Sequence, residues 1–257
     1  MTKRARRMIM EVVLIKERGT VRMNETAYLY ETHMHTSPAS YCAGASPAEQ
    51  AAAYKARGYT GIIVTDHFFN GNSGCPPGLP WEDKIAFFSS GYSEAKREGE
   101  LCGLDVFFGL EYSVRGTEFL TYGLSPELLR EHPGLDGLTV EEYSAFVRGH
   151  GGFLAQAHPY RTARWIQNPF PVAPSLIDAV EVYNAGMSDR CNEKALQFAR
   201  IHHLPMQAGS DSHYEDAPLT SGIALAKKAD SITDVIEAIK ARRAELILPD
   251  RVRVPPV

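Results

Sequence analysis

Five short apolar runs in this chain each close on residues that can bind a metal ion. The first ends in Thr32-His33-Met34-His35; the others end in Thr65-Asp66-His67, Gly109-Leu110-Glu111, Ala157-His158-Pro159 and Gly209-Ser210-Asp211-Ser212-His213. In an extended strand, side chains two apart share a face, so His33 with His35, and Asp211 with His213, can each aim two donors at one point. One His-x-His pair is a weak signal. Histidines and carboxylates at five separate strand ends are poorly explained by core packing, because such groups are seldom buried without partners.

The segments between these ends read as helices. Ser46-Pro47-Ala48-Glu49 supplies an N-cap serine, a proline at the first helical position and a capping-box glutamate, and the helix should stop at Gly58. Gly61-Ile62-Ile63-Val64 is apolar without alternation, as in a strand covered on both faces in a parallel sheet. Further strands are expected at 106–111, 118–124, 153–158, 179–183, 205–210, 222–226 and 245–248. Helices are expected near 82–98, 126–132, 139–149, 189–202 and 231–242. Such alternation predicts a parallel α/β architecture, with its chemistry at the C-terminal ends of the strands. The stretches 70–81 and 161–174 are rich in turn formers, and each follows a ligand-bearing strand, where substrate-facing loops belong.

With 257 residues, the chain matches the roughly 250 typical of one α/β barrel. We expect residues 1–22 to be an extension or edge strand and 23–257 a single barrel domain. The basic stretch at 3–7 precedes an apolar run, but Glu11 interrupts it and no small-residue cleavage site follows, which argues against a signal peptide. A net charge of −4 gives no field for binding duplex nucleic acid. No stretch approaches the roughly 20 apolar residues that span a bilayer. The four cysteines include no C-x-x-C pair, so neither a zinc ribbon nor a disulfide framework is indicated, and a cytoplasmic setting is expected.

The ordered set H-x-H, T-D-H, G-L-E, A-H-P and G-S-D-x-H resembles the PHP family, named for polymerase and histidinol phosphatase domains, over about residues 28–228. That resemblance implies a distorted (β/α)7 barrel of the PHP type, with two or three divalent metal ions (zinc, manganese or iron) that hydrolyse phosphoesters. It implies that His33, His35, Glu111 and Asp211 hold one ion, that Glu111 bridges to a second bound by His158, and that His67 and His213 serve a third. Two departures bear on the metal count. Where several members carry another ligand after H-x-H, this chain reads 36–42, with Cys42 its strong donor; and a histidine usual after the bridging glutamate is replaced by a region containing Glu118, a candidate metal or substrate contact.

The expected reaction is attack on phosphorus by a metal-activated hydroxide, with Arg161 neutralising charge on the phosphoryl oxygens. Arg115 is the second-choice arginine, Asn184 a candidate substrate contact and Glu181 a weaker one. Asp66 is read as a support for an imidazole and as a candidate proton donor to the leaving group. His132, His150, His202 and His203 fall at helix ends and are read as caps. The substrate expected is a small phosphoester, a nucleotide or a short oligonucleotide. Two rival readings are a metal-binding module with little or no catalysis, and a barrel metallohydrolase of C–N bonds.

Overall fold

The computed structural model describes residues 27–216, 220–248 and 252–255. The expectation for residues 1–22 therefore lies outside the described residues. β1 (Tyr28–Met34), β2 (Gly61–Val64) and β3 (Asp105–Val114) pair in parallel, joined by α1 (Pro47–Ala56) and α2 (Trp81–Cys102). The capping box at Ser46 and Glu49 forms as its residue pattern dictates. β2 is buried along its whole length, as its unalternating apolar run requires.

The sheet is mixed rather than wholly parallel. β4 (Thr117–Tyr122) returns antiparallel to β3, because only Arg115 and Gly116 connect them and so short a link cannot make a parallel crossover. β5 (Phe153–Gln156) is antiparallel to β4, and β6 (Ala179–Asn184) and β7 (Met206–Gly209) then continue in parallel. Two short helices, α3 (Pro126–Arg130) and α4 (Val140–Gly149), lie between β4 and β5, and α5 (Asp189–Ile201) between β6 and β7. β8 (Gly222–Leu225), β9 (Glu245–Leu248) and β10 (Val252–Val254), with α6 (Ile232–Lys240) between β8 and β9, extend the sheet beyond β1 in antiparallel fashion.

The strand order β10-β9-β8-β1-β2-β3-β4-β5-β6-β7 curls until the far end of β7 meets β1. The seam is made by a few bonds rather than a long ladder. Thr32 Oγ1 donates to the Ala208 carbonyl (2.7 Å), Asp211 N to the His33 carbonyl (2.8 Å) and His35 N to the Ser212 carbonyl (2.8 Å). This distorted barrel directs the histidines and carboxylates that close β1, β5 and β7, with those of β2 and β3, to one mouth. Among the described residues, no helix is long and apolar enough to cross a membrane.

Candidate metal centre

His33, His35, Glu111, His158 and Asp211, from the ends of β1, β5 and β7 and from within β3, converge in the mouth, each at most 9% exposed in its side chain. Glu111 lies between the imidazoles: its Oε1 is 3.3 Å from His33 Nε2 and 3.1 Å from His158 Nε2, and its Oε2 is 2.7 Å from His67 Nδ1. Asp211 Oδ1 is 3.2 Å from His35 Nε2 and 3.5 Å from His33 Nε2. His213 and Cys42 form the outer edge, with Nε2 and Sγ 3.1 Å apart.

The tautomers of β1's two histidines follow from their outward partners. His33 Nδ1 donates to the buried carboxylate of Glu181 (2.9 Å). His35 Nδ1 donates to Ser40 Oγ (3.2 Å), whose own proton goes to Asp66 (2.7 Å). Both rings therefore turn Nε2 inward, and the two nitrogens stand 3.2 Å apart. Two lone pairs so placed repel unless a cation or proton lies between them. Glu111 Oε2 and His67 Nδ1 are also buried without a hydrogen bond, because their close approach lacks the required angle. Both observations fit a metal centre, as does the mixture of imidazole and carboxylate donors. Four groupings of three donors, His33/Glu111/His158, His33/His35/Asp211, His67/Glu111/Glu118 and His35/His67/His213, have their donor atoms within 4.8 Å of one another.

Charge in the cluster is divided accordingly. Burial disfavours both carboxylate ions, yet His67 and His33 hold Glu111, and His33 and His35 hold Asp211, well below the ordinary range. Burial presses His33 down, but Glu181, Asp211 and Glu111 outweigh it and hold its imidazole well above 6.5. Burial and the neighbouring His67 push His35 down to about 3.

A second ring of buried groups holds the first. Glu181 Oε2 accepts His158 N (2.8 Å) and Asn184 Nδ2 (3.0 Å), while its Oε1 takes His33. Asn184 Nδ2 also reaches Asp211 Oδ2 at 3.4 Å, so Asn184 braces Asp211 rather than facing open space. Glu31, which the strand reading passes over as one residue of β1, accepts the backbone N–H groups of Thr32, His33 and Ser210, each at 2.9 Å. Its sequence signal is a charged residue within the buried stretch of a strand. Gly209 lets these groups close: a Cβ there would lie 2.5 Å from His33 Cβ and 2.6 Å from Glu181 Oε1. Asp211 and His158 have φ of 58° and 24°, a strained region for residues with side chains.

The remaining candidates are placed as follows. Asp66 has both oxygens occupied, by Thr36 N and Ser40 Oγ on one and Thr36 Oγ1 on the other, which makes it a poor proton donor and a brace for the loop after β1. Burial, only partly offset by those bonds, raises its pKa to about 6. Glu118 Oε2 is 3.5 Å from His158 Nε2 and 3.0 Å from Arg161 Nη1; Arg161 also lies over the Trp165 ring. Arg115 is exposed at the β3–β4 turn, four residues beyond Glu111 and hence on the order of 13 Å along the strand. The structure does not bring Arg115 to the cluster. His132 and His150 each bond through Nδ1 to a carbonyl four residues back, at 2.8 Å, away from the site.

A PHP-associated family model matches residues 189–244. No curated protein matches the sequence. Among solved structures, the chain is similar to a two-domain protein from Bacteroides vulgatus that contains a predicted PHP-like metal-dependent phosphoesterase, with TM-score 0.65, 18% identity and coverage of 89% of this chain and 69% of that one. It is similar to the lesion-specific endonuclease PfuEndoQ from Pyrococcus furiosus, with TM-score 0.57, 14% identity and coverage of 87% and 58%. A Chromobacterium violaceum amidohydrolase with bound sulfate is also similar, with TM-score 0.50, 15% identity and coverage of 81% and 96%. Likenesses at these identities establish the fold, and the fold alone does not choose among the reactions those names describe.

Proposed function

We propose, from the premise that this chain is a PHP-type protein, that it is a metal-dependent phosphoesterase acting on a small phosphoester, a nucleotide or a short oligonucleotide. The observation that carries the reading is the pair of inward-facing Nε2 atoms of His33 and His35, 3.2 Å apart beside Glu111 and Asp211. In this reading His33, His35, Glu111 and Asp211 hold one divalent ion, and Glu111 reaches a second with His158. Zinc, manganese or iron suits such donors better than magnesium. Bound there, the ions would supply a water acidic enough to ionise near neutral pH and positive charge for phosphoryl oxygens.

The chain's own groups do the rest. Glu181, Asn184 and Glu31 fix the direction of the inner donors, so little reorganisation accompanies substrate binding. Arg161 is held at the rim by Glu118 and Trp165, where its planar fork can orient a phosphoryl group. Glu118 is either a ligand beside His158 or the anchor of that arginine; its 3.0 Å pairing with Arg161 favours the anchor. Asp66 is assigned to positioning His35 through Ser40, not to proton transfer.

The test is metal-dependent turnover. Purified protein stripped by chelator and resupplied with zinc, manganese or iron should release phosphate or nucleotide from a panel of monoesters, diesters, nucleotides and short single-stranded oligonucleotides. Metal uptake without turnover of any member of that panel would sink the phosphoesterase reading. It would favour a metal-binding module without catalysis, or hydrolysis of C–N bonds if amide substrates are cleaved.

A further inference from the structure

The loop after β1 brings a sulfur atom to the outer edge of the centre. Ser37 N donates to the Ala45 carbonyl (2.8 Å) and Gly44 N to the His213 carbonyl (2.9 Å), which ties the loop to the segment bearing His213. Cys42 Sγ is thereby held 3.1 Å from His213 Nε2. The other thiols lie elsewhere: those of Cys75, Cys102 and Cys191 meet the backbone carbonyls of Pro76, Gly99 and Tyr160.

Two independent observations make this more than a chance thiol. First, His213 Nδ1 is committed to the Asp211 carbonyl at 2.8 Å, so Nε2 presents a lone pair to the sulfur. Second, His67, 5% exposed, has a donor atom within 4.8 Å of donor atoms on both His213 and His35, so the imidazole beside the thiol belongs to a three-histidine grouping. The His35 ring closes the group from behind, with centroids 4.3 Å from His67 and 4.4 Å from His213. Metal bonds of about 2.3 Å to sulfur and about 2.0 Å to nitrogen, at a tetrahedral angle, separate the donors by roughly 3.5 Å. The observed separation needs to open by only a few tenths of an ångström.

We propose that Cys42 is a thiolate ligand of a further metal ion, held with His67 and His213 at the outer edge of the site, and that sulfur makes this position select zinc over manganese or magnesium. The assignment rests on the reading of the mouth as a metal centre. Binding forms a metal–sulfur bond and releases the thiol proton to solvent. Soft sulfur distinguishes this position from the inner pair, whose donors are imidazole and carboxylate alone. With Cys42 half-buried and the His213 side chain 22% exposed, the remaining coordination position faces the mouth.

Cobalt(II) tests this without reference to turnover. The full chain, stripped and titrated with cobalt, should develop a sulfur-to-cobalt charge-transfer band in the near ultraviolet beside the visible bands of the inner ions. Cys42→Ser should lose that band entirely and bind one cobalt fewer per chain while keeping the visible bands, which also show that the variant folds. Cys42→His should regain the metal without the band, and the combined Cys75→Ser, Cys102→Ser and Cys191→Ser variant should keep it. Cobalt uptake without the band, or a band that survives Cys42→Ser, overturns the assignment and leaves the metal centre standing. A chain that takes up no cobalt overturns both.

Discussion

His33 and His213 belong to one cluster and are held in opposite ways. His33 sits in a central strand, fully buried, with its Nδ1 proton given to a carboxylate that arrives from β6. His213 follows β7 in irregular chain, and its Nδ1 proton goes to the carbonyl of its own neighbour Asp211. The inner half of the centre is thus fixed by several strands at once, the outer half by local turns and one loop. A strand-built half is preorganised; a loop-built half can gain or lose a donor at little cost to the fold. The inner donor set accordingly matches the resemblance closely, while the outer carries the departure at Cys42.

The largest effect expected is at the centre of the inner half. Glu111→Gln removes the negative charge shared by four imidazoles and should lower turnover by at least roughly 100-fold, with loss of bound metal by elemental analysis. Unchanged metal content would show that Glu111 does not bridge. Next comes the brace: Glu181→Gln should weaken metal affinity or turnover about 10- to 100-fold while the fold persists, as read by competition with a chelating dye. If His213→Ala costs as much inner metal as Glu181→Gln does, the division into two halves fails.

Proton release offers a finer probe of the same division. His33, His67 and His158 have raised pKa values in the metal-free chain: burial lowers each, and neighbouring carboxylates, joined at His67 by Cys42, more than compensate. The stability these imidazolium pairs contribute is fully present below the ordinary imidazole pKa and is lost as pH rises through the raised values. Metal must displace those protons, so affinity should rise with pH and calorimetry in buffers of different ionisation enthalpy should register proton release. PH-independent affinity would contradict this protonation pattern. The smallest effects separate the two arginines: Arg161→Ala should raise KM by about tenfold, and Arg115→Ala should stay within about twofold.

How much of this was legible follows the same division. Strand ends announce themselves, because a histidine or carboxylate closing an apolar run contradicts its surroundings; all seven expected ligands do meet in one mouth. The mixed sheet was not legible from alternation, since only the brevity of the Arg115-Gly116 link reverses β4. Braces were the harder class. Glu181 was read only as a weaker substrate contact, and Glu31 not at all, because a residue that binds backbone N–H groups from a distant strand leaves no local periodicity. Asp66 lies beside the site as expected, but sequence adjacency to His67 does not reveal that Thr36 and Ser40 occupy both its oxygens.

Glu31 also sets an order of events. Its bond to Ser210 N joins positions 179 residues apart. At synthesis rates of about 5 to 20 residues per second, β1 leaves the ribosome on the order of 10 to 35 seconds before that partner exists. Through that interval His33 and His35 stand as a pair without Asp211. The four inner donors His33, His35, Glu111 and Asp211 therefore exist together only once the chain has passed β7, however early their first strand is made.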